Sequence, residues 1–222
     1  MRELKNRLNT IAFLVPIGAR VADIGTDHGH LPISLIKRQI ASKVIACDIN
    51  EKPLINAKTN IEKTKTENIE LRLGDGLAPI KPQEVDCIII AGMGGEVISN
   101  ILDASPFVKD KGYTLLLQPM TSADLLRRYL YNNGFSIVSE TAATEGKRIY
   151  TVIKAVFTGE KKEKKEAFYL CGKLDPKDEN ARLYIKKQAN IVFKALCDLE
   201  KNNKDCKEQK ELFAQICEIL GE

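Results

Sequence analysis

Four carboxylates, Asp23, Asp27, Asp48 and Asp75, each end an apolar run or stand beside a glycine or a histidine. Both histidines of the chain, His28 and His30, fall in one stretch, Asp23-Ile-Gly25-Thr-Asp27-His28-Gly29-His30. Acids set at strand ends suit a polar small molecule laid across several loops. One carboxylate can hold an amino group, a second a ribose hydroxyl pair, and a third an adenine amino group. Gly25 and Gly29 let the backbone come close to such a molecule. The first loop lacks the full GxGxxG run that cradles a pyrophosphate, which disfavours NAD or FAD. Asp27, His28 and His30 offer too few converging ligands at a workable spacing for zinc, so no metal is expected.

The elements that must position these residues alternate along the chain. Val21, Ala22 and Ile24 predict a short buried strand, and Pro32 suits the first turn of a helix running to about residue 39. Residues 43–48 form an apolar strand ending at Asp48, which completes one βαβ unit. A helix opens at Asn50 or Glu51 and runs to residue 60, with Pro53 in its first turn. Strand three, 69–73, leads into Gly74-Asp75-Gly76-Leu77. Strand four, 85–91, is almost wholly apolar, as a parallel strand covered on both faces must be, and empties into Gly92-Met93-Gly94-Gly95. A helix over 96–104 precedes strand five, 113–118, which ends at Gln118-Pro119. Thr121 or Ser122 caps the next helix, and Asn133-Gly134 stops it. Residues 135–141 and 148–157 read as an antiparallel hairpin closing the sheet edge. Leu4, Leu8, Ile11 and Phe13 predict a leading helix that caps the sheet. The fold class expected is α/β, a doubly wound sheet.

Beyond a charged linker at 161–166 the composition changes. After Asp178 there is no proline and almost no glycine, while Ile185, Ala189, Val192, Leu196 and Leu199 step by four, three, four and three. Leu212, Ile216 and Ile219 continue that seam after Asn202-Asn203. The pattern predicts a coiled-coil-like helical hairpin over 167–222, separate from a ligand-binding domain over 1–158. Such an arm either packs on the core or a second subunit, or grips a large substrate.

The 222 residues are 44% apolar with a net charge of +4, which permits a polyanionic partner without arguing for one. Arg2, Lys5, Arg7 and Arg20 form a basic start opposed only by Glu3. The six cysteines contain no CxxC pair, and Cys47 and Cys87 fall inside predicted core strands, as in a reducing cytoplasm. No signal peptide or membrane-length apolar run is visible.

The acids and glycine loops follow one another at the ends of four successive strands, and that order fits S-adenosylmethionine. Asp23 or Asp27 would meet the amino group, Asp48 the ribose and Asp75 the adenine. The motifs ADIGTDHGHLPI, ACDIN, GDGL, IAGMGG and LLLQP, followed by LRRYL and EGKRIY, resemble those of the bacterial tRNA (adenine(22)-N(1))-methyltransferase family, over about residues 3–157. The resemblance implies a class I methyltransferase domain, Rossmann-like, with a C-terminal helical domain. It implies that Asp23, Gly25, Asp27 and His28, with Gly29, line the methionine part of the cofactor. Asp48 would hold the ribose, Ile49 would pack on the adenine, and Gly74, Asp75 and Gly76 would read the adenine edge beside Ala91.

Adenine N1 carries a lone pair, so it can attack the sulfonium methyl directly once held in line, and little is asked of a general base. Gly92, Met93, Gly94 and Gly95 would admit a flat base, with Met93 on its face. A group near Gly92 or Gln118 would accept a hydrogen bond from the exocyclic amine, with Asp27 or His28 as alternatives. Arg2, Lys5, Arg7, Arg127, Arg128 and Arg148 would meet phosphates, with Pro119 beside the base. Two departures from the family pattern stand out: Gln118-Pro119-Met120 where Gln-Pro-Asn is expected, and the segment from Leu170 to Pro176 where a Gly-Pro-Leu-like entry to the arm is expected. The expected protein is a cytoplasmic tRNA methyltransferase, a monomer or weak homodimer. The rival readings are action on another RNA position or a small molecule, and a binding protein without turnover.

Overall fold

The computed structural model describes residues 4, 6–110 and 112–221. Strands β1 (Ala19–Ile24), β2 (Ala41–Asp48), β3 (Ile69–Leu73), β4 (Cys87–Gly94), β5 (Thr114–Thr121), β6 (Phe135–Glu145) and β7 (Arg148–Phe157) form one sheet in the order β3-β2-β1-β4-β5-β7-β6. The first five are parallel, and β7 runs antiparallel between β5 and β6. Strand order reverses between β1 and β4, so their carboxyl ends open a crevice there.

Helices α1 (Asn6–Leu14), α2 (His30–Lys37) and α3 (Glu51–Thr64) precede β1, β2 and β3, while α4 (Gly95–Asp103) and α5 (Ala123–Asn132) follow β4 and β5. The sheet is covered on both faces by two separate cores. Ile11, Leu31 and Leu35 pack with Cys87, Ile89 and Leu116, whereas Ile98, Leu102, Leu126 and Leu130 pack with Ile88, Ile90, Leu115 and Leu117. Side chains alternate faces along a strand, so the apolar runs of β4 and β5 supply both cores at once. Burial pushes the Cys47 and Cys87 thiols up to about 12, and all six cysteines are free.

Helices α7 (Glu179–Lys201) and α8 (Lys207–Leu220) form the expected hairpin, with Ile185, Ala189, Val192, Leu196 and Ile216 buried along the seam. Asp178 caps α7 by accepting from the Ala181 N–H at 2.7 Å. The two helices share a third core with Ala142 of β6 and with Ala167 and Cys171 of α6 (Glu166–Cys171), a helix the sequence reading did not foresee.

Three other expectations need correction. Strands β4 and β5 run on to Gly94 and Thr121, because bulges at Ala91–Gly94 keep the ladder paired where glycine and proline read as stops. Strand β6 extends to Glu145, paired residue for residue with the start of β7. Arg127 cannot meet phosphate, because its side chain is 0% exposed. Its Nε donates to Glu140 at 3.0 Å, and its Nη1 donates to the carbonyl oxygens of Tyr169 at 2.6 Å and Leu170 at 3.1 Å. Glu140 also accepts from the Thr151 hydroxyl at 2.9 Å and from the Lys173 N–H. Gly172, at φ +74°, closes this site, since a Cβ there would collide with both charged groups. Arg128 pairs with Glu166 at 2.7 Å and stacks on Tyr169, and both of those partners lie at α6.

Candidate active site

The loop after β1 is built from left-handed residues: Gly25, His28 and Gly29 sit at φ +76°, +54° and +68°. The N–H groups of Gly25 and Thr26 both donate to the Cys47 carbonyl at 2.9 Å, tying this loop to the end of β2. Helix α2 then opens on Gly29 with no side-chain cap, so the positive end of its dipole faces this loop. Asp23, one residue before the end of β1, is 5% exposed. Burial raises its carboxyl to about 6; the Thr26 hydroxyl beside it pulls the other way, and the charge of Asp48 adds to the rise. A buried carboxylate without a cationic partner favours a positively charged ligand.

Two hollows meet over this loop. The first, about 450 Å³, is lined by Arg7, Asp23, Asp27, His28 and His30, among others. The second, about 390 Å³, is lined by Asp48, Ile49, Asp75, Gly76, Val97 and Ile101, among others. Both include Gly25, Ala91 and Gly92, so they form one continuous trough. A Cβ at Gly25 would collide with the tip of Met93, and one at Gly76 would lie 3.1 Å from Ile101. The second hollow is apolar on two sides: Ile49 is 61% exposed and Val97 49%, a cost offset if a flat ring covers them. Asp48 holds its loop by accepting from the Asn50 N–H at 2.9 Å, and its own carbonyl accepts from Gly74 N–H at 3.0 Å. An adenosine half and an amino-acid half of one cofactor match these two hollows in chemistry and order.

Across the trough, Gln118 is fully buried in β5, opposite Ala91 of β4. Its Oε1 accepts from Arg7 Nη1 at 2.5 Å and from the Gly92 N–H at 3.1 Å, and its Nε2 donates to the Pro119 carbonyl at 2.8 Å. Arg7 also donates from Nε to Glu145 at 2.7 Å. Arg7 and Gln118 therefore brace α1, β4, β5 and the β6–β7 turn together. Asp27 and His28 stand at the rim, 3.2 Å apart.

Other expected substrate residues lie elsewhere. Gly95 packs against the Ser122 backbone, and Gly94 lies beside Thr121. Pro119 lines a cleft of about 160 Å³ with Tyr184 and Lys187 of α7, and Arg148 is exposed at the β6–β7 turn. Arg2 and Lys5 fall outside the described residues. Among the described residues, Arg7 is the one expected phosphate contact that lines the trough, and it is already engaged by Glu145 and Gln118. Sequence reading missed Leu8, Asn50, Val97 and Ile101 as lining residues. The spacing of Val97 and Ile101, one turn apart just after the glycines, was the available signal. Among the described residues no group of three or more His, Cys, Asp or Glu could hold a metal ion, and no helix is long and apolar enough to cross a membrane.

A sheet reversing at β1 and β4, with acids at the ends of β1, β2 and β3 along one trough, defines a class I S-adenosylmethionine-dependent methyltransferase. The chain matches the methyltransferase domain family over residues 4–153. It is 40% identical over 158 residues to the tRNA (adenine(22)-N(1))-methyltransferase of Bacillus subtilis, covering 70% of this chain and 66% of that protein, about two thirds of its length. The solved structure of the B. subtilis m1A22 tRNA methyltransferase TrmK superposes with a TM-score of 0.79 at 30% identity, covering 99% of this chain and 96% of that one. That of M. capricolum TrmK bound to S-adenosylhomocysteine gives 0.76 at 26% identity, covering 98% and 96%. The chain belongs to the tRNA (adenine(22)-N(1))-methyltransferase family.

Proposed function

We infer that the protein methylates N1 of adenine-22 in tRNA, using S-adenosylmethionine. The observation that carries this reading is the single trough in which the acids of three successive strands meet the Gly92 bulge. When bound, the cofactor supplies a methyl group activated by its sulfonium charge. Asp23 and Asp27 hold the amino group at its amino-acid end, and the first turn of α2 meets the carboxylate. Asp48 holds the ribose hydroxyls, while Asp75 and Gly76 read the adenine edge between Ile49 and Val97. The six free cysteines suit a reducing cytoplasm.

Adenine N1 is neutral and carries its own lone pair, so the chain must position the base and later take a proton from the exocyclic amine. Gln118 has both ends of its amide occupied within the protein. Its role is positioning: with Arg7 behind it, it fixes the Gly92 peptide against which the base lies. Asp27 and His28 at the rim take up the departing proton. The target base lies within a folded RNA and is swung out to reach the trough.

The test is methyl transfer from labelled S-adenosylmethionine to unmodified tRNA, with the product nucleoside identified by mass spectrometry and Asp48→Ala as control. 1-Methyladenosine at position 22, lost in the control, is the expected result. Cofactor binding without any methylated tRNA refutes the reading.

A further inference from the structure

A third cleft, of about 590 Å³, lies over α2 between the walls of α1 and α3. It shares Leu4 and His30 with the amino-acid half of the trough, so the two spaces are neighbours. Arg38 and Lys63 line it, and no carboxylate does so among the described residues. Arg38 is held in place: its Nη1 donates to Asn9 Oδ1 at 2.8 Å, and its guanidinium lies 4.8 Å over the Phe13 ring. Lys63 is exposed and makes no ion pair among the described residues. Asn60 Nδ2 donates to the His28 carbonyl at 2.9 Å, which links the cleft wall to the cofactor loop. Asn9 has committed its oxygen and Asn60 its nitrogen, so one amide retains a donor and the other an acceptor, the pair a base edge needs.

We propose that this α1–α2–α3 cleft is a second nucleotide subsite, which takes the phosphate and base of a tRNA nucleotide flanking the target adenine. The inference rests on the tRNA reading of the trough. The two cations neutralise the phosphodiester, and Asn9 and Asn60 meet the base. Binding there places RNA against the same loop that carries Asp27 and His28. It also supplies the basic contact surface that Arg127 and Arg128 do not.

The test compares Lys63→Gln and Arg38→Gln with the parent protein in binding unmodified tRNA across a salt series, and in cofactor binding by calorimetry. Each substitution is expected to weaken tRNA about three- to tenfold, and to lower the slope of log affinity against log salt by about one. Cofactor affinity is expected to stay unchanged. Lys63 makes no ion pair among the described residues, so its substitution separates loss of RNA contact from loss of structure. Unchanged tRNA affinity and salt slope in Lys63→Gln overturns the proposal. Loss of cofactor affinity with unchanged tRNA affinity also overturns it, by making the cleft an extension of the cofactor site. If the parent protein binds tRNA but does not methylate it, the catalytic reading fails, while the salt slopes still decide the subsite.

Discussion

Asp23 and Glu140 are both buried carboxylates, and their surroundings are opposites. Glu140 faces Arg127 at 3.0 Å, the Thr151 hydroxyl and the Lys173 N–H, and its side chain is 0% exposed. Among the described residues no cation stabilises Asp23: the charge of Asp48 adds to the cost of its burial, and the Thr26 hydroxyl offsets only part of it. One buried charge is matched inside the protein and holds the helical arm to the sheet. The other is left unmatched at the mouth of a trough and becomes whole only with a ligand. An unpaired buried acid therefore marks binding, and a fully paired one marks architecture.

Breaking the paired site gives the largest effect. Arg127→Leu leaves Glu140 buried and without its cation, and should cost about 3–5 kcal/mol in denaturant unfolding. The Tyr169 and Leu170 carbonyls lose their donor as well, so α6 and the arm should loosen first, visible as faster amide exchange in α6 and α7. Adding Glu140→Leu should recover most of the loss, because a well-packed apolar pair removes the stranded charge. If the double variant is no more stable than the single, the pair does more than neutralise itself.

The unpaired site should respond with the opposite sign. The Asp23 carboxyl is raised to about 6 in the fold, against 3.8 for an ordinary aspartate. Below pH 3.8 the acid is protonated both folded and unfolded and costs nothing. Between pH 3.8 and 6 the unfolded chain ionises first, so a penalty builds up, and above 6 it is complete. Asp23→Asn should therefore stabilise the protein at pH 7.5 by up to roughly 3 kcal/mol, with little gain at pH 3.5, as read from thermal melts. The same substitution should weaken cofactor binding. In the parent protein that affinity should fall as pH drops through about 6, and in Asp23→Asn the fall should be absent. A variant that is destabilised at pH 7.5 would remove the contrast between the two acids.

Gln118 stands between these extremes. It is an uncharged buried group that serves both structure and site. Gln118→Leu leaves the Gly92 N–H without its acceptor and Arg7 with Glu145 alone, a loss of about 1–3 kcal/mol. If the loss falls on the transition state, kcat should drop about tenfold or more, with the KM for S-adenosylmethionine little changed. A rise in KM at constant kcat would instead make Gln118 a ground-state contact.

The acids that line the trough were legible in the sequence because each lies at or within a few residues of a strand's carboxyl end, and a parallel sheet brings those ends together. The same logic recovered the arm, whose seam of Ile185, Ala189, Val192 and Leu196 repeats locally. Arg127 was misread because its partners are remote: Glu140 lies in a strand and the Tyr169 carbonyl in a helix more than forty residues on. Its position was still readable, since Leu126, Leu130 and Tyr131 define the buried face of α5 and Arg127 lies among them. Helix α6 escaped notice because its docking depends on that same guanidinium. The glycines at 92–94 and Pro119 read as turns, whereas bulges let β4 and β5 stay paired through them, something only the register reveals.

The smallest expected effects compare the hydroxyls that flank the two acids. Thr151→Val removes one of several donors to Glu140, and should cost about 1 kcal/mol while leaving cofactor binding unchanged, because Arg127 and the Lys173 N–H still hold the carboxylate. Thr26→Val removes the group that holds the Asp23 carboxyl down, so that carboxyl should titrate higher still. The pH at which cofactor affinity falls should then move up, while stability at pH 7.5 changes little once the cofactor's amino group is in place. Titrating cofactor binding between pH 5 and 8 in both variants reads the difference directly. A shift in the midpoint with Thr26→Val but not with Thr151→Val follows from one acid waiting for its cation and the other already having it. Equal behaviour would mean that the Asp23 carboxyl is set by burial alone and that the threonine beside it serves only the turn.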